Sequence, residues 1–241
     1  MSSTPARVEV AKDPDALAYR AAERLTELAG ASDGRFAVSL SGGSTPRRLY
    51  QLLAESPFCE ALPWDRVHWF WGDERFVPWD HKDSNYRMVR EAMLSRAPVP
   101  PQNIHGIETA GEPAAAAQAY ERVLKSFYGA DALDPARPLF DVQFLGLGPD
   151  GHTASLFPGT DVLDERRRWV AEVIGAMPEA RITLTYPALE SSRHTAFLVA
   201  GADKRGILAR VLAGDPALPA ARLHPVGELT WFVDAAARPQ P

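Results

Sequence analysis

An α/β fold, with a mostly parallel, twisted sheet flanked by helices, is what this sequence predicts, and three observations carry that expectation. Apolar, β-rich runs alternate with helically spaced segments from near the N-terminus to Val233, the order that βαβ units produce. Two of these runs end in glycine-rich turns, at Gly42–Gly43 and at Gly146–Gly151, where an open sheet presents the carboxyl ends of its strands to ligands. A chain of 241 residues with 46% apolar composition can furnish one substantial core, so a single domain over residues 1–241 is expected.

The elements follow in order. Asp13 and Pro14 make an N-cap and first-turn pair, Leu17, Ala21, Leu25 and Leu28 recur at helical spacing, and Gly30 stops the first helix. Strands are predicted over 35–40, 66–71, 140–146, 169–174, 181–185, 195–200 and 229–233, and these would form one sheet. Helices are predicted between them over 46–54, 84–94, 113–127 and 203–212, with the proline-rich 97–101 and 134–138 as loops. The aromatic cluster Trp64, Trp69, Phe70, Trp71, Phe76 and Trp79 reads as core. No internal repeat is apparent.

Composition narrows the function. A formal net charge of −5 and a pI of about 5.7 give the chain no basic field for nucleic acid or an anionic membrane, so small-molecule partners are expected. Residues 1–15 lack the apolar core of a signal peptide, and no apolar run approaches the roughly 18 residues needed to span a bilayer, so the expected location is cytoplasmic. With Cys59 as the one cysteine, an intrachain disulfide is impossible. Neither CxxC nor HExxH spacing occurs, and no metal or organic cofactor is expected. A monomer is expected, with a dimer as the alternative.

Chemistry concentrates in three stretches. Residues 140–159, FDVQFLGLGPDGHTASLFPG, run from a strand into a turn carrying Asp150 and His152. An imidazole with an ordinary pKa of about 6.5 can take a proton from water, and Asp150 can orient it or merely cap the turn. The Gly146, Gly148 and Gly151 spacing would leave backbone N–H groups for a developing oxyanion. Residues 39–50, SLSGGSTPRRLY, join a strand to a helix, with Thr45 read as N-cap and Pro46 at the first helical position. Loop amides, the positive end of the helix and the Ser41, Ser44 and Thr45 hydroxyls suit a phosphate, although a plain tight turn explains the glycines equally well. Residues 69–89, WFWGDERFVPWDHKDSNYRMV, deliver Asp73, Glu74 and Arg75 at a strand's end. A solvated turn with a local ion pair is the simpler reading, against one in which Asp73 or Arg75 points into the ligand crevice, and the following 83–85 reads as a helix N-cap. Lys204 opens a helix after the strand TAFLVA, where it can clamp a phosphate or serve as a plain helix-start cation. His68, His81, His105, His194 and His224 lack comparable neighbours and read as structural.

Together these motifs resemble the 6-phosphogluconolactonase family, which shares its fold with glucosamine-6-phosphate deaminase/isomerase. SLSGGSTP matches the family's phosphate-side loop, WGDERFVP with the downstream DSN its second signature, and GLGPDGHTASLFPG its third, in the family's order over nearly the whole chain. The resemblance implies a modified Rossmann-like domain and hydrolysis of 6-phospho-D-glucono-1,5-lactone in the pentose phosphate pathway. It implies His152 as the catalytic residue, with Asp150 and Asp73 as the further catalytic carboxylates, and Asp73 as a base would suit the deaminase alternative. Ser41, Gly42, Gly43, Ser44, Thr45, Arg75, Asn85, Gly151 and Lys204 would bind the phosphorylated lactone. Deaminases that the chain resembles carry an acidic residue five positions after the motif histidine, and here that position is Phe157. A base at that place serves aldose–ketose conversion, whereas lactone hydrolysis needs an activated water and a stabilised oxyanion. The deaminase is the alternative, and a non-catalytic sugar-phosphate sensor is a third reading.

Overall fold

The computed structural model describes residues 6–239. Its strands are β1 (Arg7–Ala11), β2 (Phe36–Leu40), β3 (Val67–Trp71), β4 (Asp73–Arg75), β5 (Ile104–His105), β6 (Phe140–Leu145), β7 (Val170–Val173), β8 (Arg181–Leu184), β9 (Ser192–Val199) and β10 (Glu228–Asp234). The helices are α1 (Pro14–Gly30), α2 (Ser44–Leu53), α3 (Phe58–Ala61), α4 (Asn85–Val89), α5 (Pro113–Tyr128), α6 (Tyr186–Glu190) and α7 (Arg205–Leu212). Seven strands form the central sheet in the order β1-β10-β9-β6-β2-β3-β5, and every neighbouring pair is parallel.

One sheet of seven strands was expected, but its membership differs. The segments predicted at 169–174 and 181–185 leave the central sheet and pair with β4 in a separate three-stranded antiparallel sheet, β4-β8-β7. The loop between β7 and β8 is too short for a parallel crossover, which takes about a dozen residues or more. Their places in the central sheet are filled by β1 and β5, neither of which was foreseen. β1 is a polar edge strand with Val8 and Val10 exposed, and β5 has two residues, so neither carries an apolar run.

Packing explains why the other strands were legible. All five residues of β2 are buried, as are Trp69, Phe70 and Trp71 on β3, and the Phe197 and Trp231 rings stack at 3.9 Å. α1 begins as expected: the Asp13 side chain accepts from Ala16 N at 2.7 Å, and its apolar stripe of Leu17, Ala21 and Leu25 is buried. α2 starts two residues earlier than predicted. Gly43, not Thr45, is its N-cap, so Ser44 and Thr45 lie within the first turn. α4 has Ser84 as N-cap, with Oγ accepting from Arg87 N at 3.1 Å, and runs on into a π turn over Arg90–Leu94. Lys204 ends a 3₁₀ turn and caps α7. Among the described residues no helix is long and apolar enough to cross a membrane.

The sheet order creates a crevice. From β2 the chain passes through α2 to β3 on one side, while from β6 it passes to β9 on the other. Because β2 and β6 are neighbours, their outgoing connections diverge above the carboxyl ends, the place where open α/β sheets bind ligands.

Candidate active site

Two buried tyrosines set the strand ends that enter this crevice. Beyond the last ladder bond, Ser41 N donates to Tyr50 Oη at 2.9 Å, and that hydroxyl donates back to Ser41 O at 2.9 Å. Tyr120 Oη does the same for Trp71, at 2.8 and 3.0 Å. Burial drives both phenols above their ordinary pKa, which keeps them neutral donors and acceptors.

A cavity of about 390 Å³ lies at the crevice. The β2 loop contributes Ser41 to Pro46, the β4 region Asp73, Arg75 and Asn85, the β6 loop Gly148 and His152, and the β9 end Lys204. Gly43, at φ 110°, turns the chain into α2 in a conformation that favours glycine. The first N–H groups of α2 have no intrahelical acceptor and stand at this wall. Ser41 Oγ is buried and without a hydrogen-bond partner among the described residues. Arg75, Arg181 and Lys204 oppose a single lining carboxylate, Asp73, so the cavity favours an anion.

His152 Nδ1 lies 2.5 Å from Asp150 Oδ1, and His152 N also donates to that oxygen at 3.2 Å. Burial opposes ionisation of Asp150, but the ring and backbone hydrogen bonds from His152, with the imidazole charge, hold its carboxyl below the usual range. The ring folds back over Gly148, where an added Cβ would fall 2.1 Å from Nδ1. The Phe157 ring packs against it with centroids 4.6 Å apart.

Asp73 is buried, and its Oδ2 accepts from Ser155 Oγ at 2.7 Å. Asn85 Nδ2 donates to Asp73 O at 2.9 Å, while its carboxamide lies against Gly42, where a Cβ would sit 2.0 Å from Oδ1. Arg75 donates to Asp83 O at 2.6 Å, which aims its guanidinium and leaves further donors unspent.

Ten of the twelve predicted site residues line the cavity: Ser41, Gly42, Gly43, Ser44, Thr45, Asp73, Arg75, Asn85, His152 and Lys204. Asp150 stands beside His152 and outside the wall. Gly151 is also outside; at φ 79° it makes the turn and packs on Leu218. The glycine amides expected for an oxyanion are partly spent, since Gly148 N donates to His152 O at 2.8 Å and Gly151 N to Gly148 O at 3.1 Å. His68 and His105 lie away from the cavity and pair with each other at 3.0 Å.

Sequence reading missed Arg181 and Ser155 at the cavity wall and read Glu74 as part of a solvated turn, whereas the structure buries it. Arg181 is buried on β8, directly opposite Arg75 in the antiparallel register. Like charges facing across strands are unfavourable without an anion between them, and burial followed by the Arg75 charge lowers the Arg181 pKa. The available signal was an arginine heading the otherwise uncharged run RITL. Among the described residues no group of three or more His, Cys, Asp or Glu side chains could hold a metal ion.

Comparison with known proteins shows the chain's family. The profile described as glucosamine-6-phosphate isomerases/6-phosphogluconolactonase matches residues 12–231. A 6-phosphogluconolactonase of Nostoc sp. is 45% identical over 237 residues, covering 95% of this chain and 96% of the relative. The crystal structure of 6-phosphogluconolactonase from Thermotoga maritima superimposes with a TM-score of 0.81 at 33% identity, covering 95% of this chain and all of that one. A monomeric glucosamine-6-phosphate deaminase shares the fold at 20% identity, with a TM-score of 0.81 and coverage of 96% and 98%. The chain therefore belongs to the glucosamine-6-phosphate isomerase/6-phosphogluconolactonase family.

Proposed function

We propose that this chain hydrolyses 6-phospho-D-glucono-1,5-lactone to 6-phospho-D-gluconate, the lactone-opening step of the pentose phosphate pathway, with His152 as the general base. The observation that carries this reading is the His152–Asp150 pair at 2.5 Å, set at a cavity lined by Arg75, Arg181 and Lys204. A neutral His152 donating Nδ1–H to Asp150 leaves Nε2 to accept a proton. Water attacks the C1 carbonyl carbon as its proton passes to Nε2. The tetrahedral oxyanion then collapses, the C1–ring oxygen bond breaks, and the imidazolium returns the proton to the departing ring oxygen.

The phosphate sits at the start of α2, with Ser44 and Thr45, and is clamped by Lys204 and Arg181. Arg75 and Asn85 hold oxygens nearer the ring, so remote binding orients the reacting carbonyl. Asp73, hydrogen-bonded to Ser155, fixes the 153–155 turn that follows His152. Phe157 packs an apolar ring where the deaminase resemblance implies a carboxylate, which favours hydrolysis over isomerisation. A phosphorylated substrate is retained in the cytoplasm, where we place the reaction.

The test is 6-phosphogluconate release from freshly generated lactone, coupled to a dehydrogenase and corrected for spontaneous hydrolysis. Wild type should accelerate it, and His152→Ala should lower kcat by about 10²–10⁴-fold with little change in KM. A fully active His152→Ala would reject the base. A wild type that deaminates glucosamine 6-phosphate and leaves the lactone at background would reject the reaction.

A further inference from the structure

Side-chain alternation along β4 sends Asp73 and Arg75 to the cavity, while Glu74 is almost wholly buried outside it. Its carboxylate meets only donors. Oε1 accepts from Arg75 N at 2.8 Å and Asn85 N at 2.7 Å, and Oε2 from Tyr86 N at 2.7 Å and Ser84 Oγ at 3.2 Å. Tyr86 is pinned in turn by Trp79, stacked at 4.0 Å. One buried group thus joins β4 to the start of α4, which carries Asn85. Asn85 reaches Asp73 O on one side and the Gly42 backbone on the other.

We propose that Glu74 is a positioning residue of the active site, whose carboxylate places Arg75 and Asn85 so that the Asn85 carboxamide braces the 41–43 loop against the Asp73 strand. The proposal rests on the lactonase reading above and adds a residue that touches no substrate. Charge on Glu74 is what the geometry demands, because a glutamine there would aim N–H groups at one pair of donors, and Tyr86 N–H cannot turn round to accept. Burial pushes the Glu74 carboxyl up to about 7, with the hydrogen bonds from Asn85, Tyr86 and Arg75 opposing and the Asp73 charge adding to the rise. Its charged neighbours are Asp73 and Arg75 on β4 and Arg181 on β8, while the α4 side contributes Ser84 Oγ and the Asn85 and Tyr86 backbone N–H groups. Protonating Glu74 near neutrality therefore loosens the brace.

The test is a double-mutant cycle of Glu74→Gln and Asn85→Ala, reading kcat and KM for the lactone from pH 5 to 8 with Tm recorded for each protein. Glu74→Gln should raise KM by about 10–100-fold with kcat changed far less, as expected for loss of a group that orients a ligand-binding side chain. The double variant should be no worse than the poorer single one within about twofold, since both remove one brace. As pH drops below about 7, kcat/KM of wild type should fall more steeply than that of Glu74→Gln and converge toward it. Glu74→Asp, which keeps the charge, should recover part of KM and retain the steeper limb; it carries the comparison if Glu74→Gln does not fold. Additive effects, or identical limbs in wild type and Glu74→Gln, would overturn the proposal. A wild type without turnover would sink the lactonase reading alone, because the same cycle is then read on 6-phosphogluconate affinity by calorimetry.

Discussion

Replacing Gly148 with alanine tests the site without changing the identity of a reacting group. The residue does not occupy the left-handed region, so its backbone accepts alanine, but the new Cβ would lie 2.1 Å from His152 Nδ1, 2.2 Å from Cε1 and 2.6 Å from Cγ. Ordinary contact begins at 3.4 Å, so the ring must retreat by roughly 1.3 Å and give up its 2.5 Å contact with Asp150. Misplacing a catalytic group by about 1 Å costs on the order of 10²-fold, or about 2.7 kcal/mol of transition-state stabilisation. Gly148→Ala should therefore lower kcat by about 10²-fold in the coupled lactone assay, with KM changed by less than about threefold and Tm lowered little. A folded Gly148→Ala retaining kcat within threefold of wild type would refute the placement of His152 over this glycine as the catalytic geometry.

Other substitutions separate binding, orientation and stability. Arg181→Ala removes charge-assisted hydrogen bonds worth about 1.5–3 kcal/mol, so KM should rise by about 10–150-fold; an unchanged KM would remove Arg181 from the phosphate clamp. Asp150→Asn leaves the ring placed but no longer favours Nδ1–H, and a kcat reduced by about tenfold or more is expected from steady-state kinetics. Burial, aided by the His68 charge, depresses the His105 pKa to about 4. The unfolded chain therefore binds more protons between about pH 6.5 and 4, and the contribution of neutral His105 is lost as pH falls through that window. Partial exposure discounts this to roughly 1–2 kcal/mol. Thermal melts of wild type and His105→Phe at pH 7 and pH 4.5 should diverge accordingly, and parallel curves would contradict the assignment.

Legibility followed the range of the interactions. The first helix was readable because its cap, first-turn proline and apolar stripe lie within one stretch of chain, and the structure keeps all three. The strands at the sheet centre were readable because both faces are covered, leaving short runs dominated by apolar residues such as FAVSL and VHWFW. β1 and β5 were not, since an edge strand is half solvated and needs little apolar content. α2 was placed two residues late because Thr45–Pro46 imitates a cap, whereas the local conformation belongs to Gly43 at φ 110°.

The sequence by itself determined the α/β class and the glycine turns after β2 and β6, because these are written in contiguous motifs whose backbone demands are local, and the family resemblance of those motifs supplied ten cavity-lining residues. Only the tertiary structure decided that β7 and β8 abandon the central sheet to pair with β4. That pairing brings Arg181 opposite Arg75 across more than a hundred residues of chain, and it closes the cavity from the side. It also decided that the Gly148 and Gly151 amides turn inward, and that Glu74 is buried among donors from α4. Register between distant strands and the partner of a buried charge depend on which surfaces meet, and no local pattern encodes that.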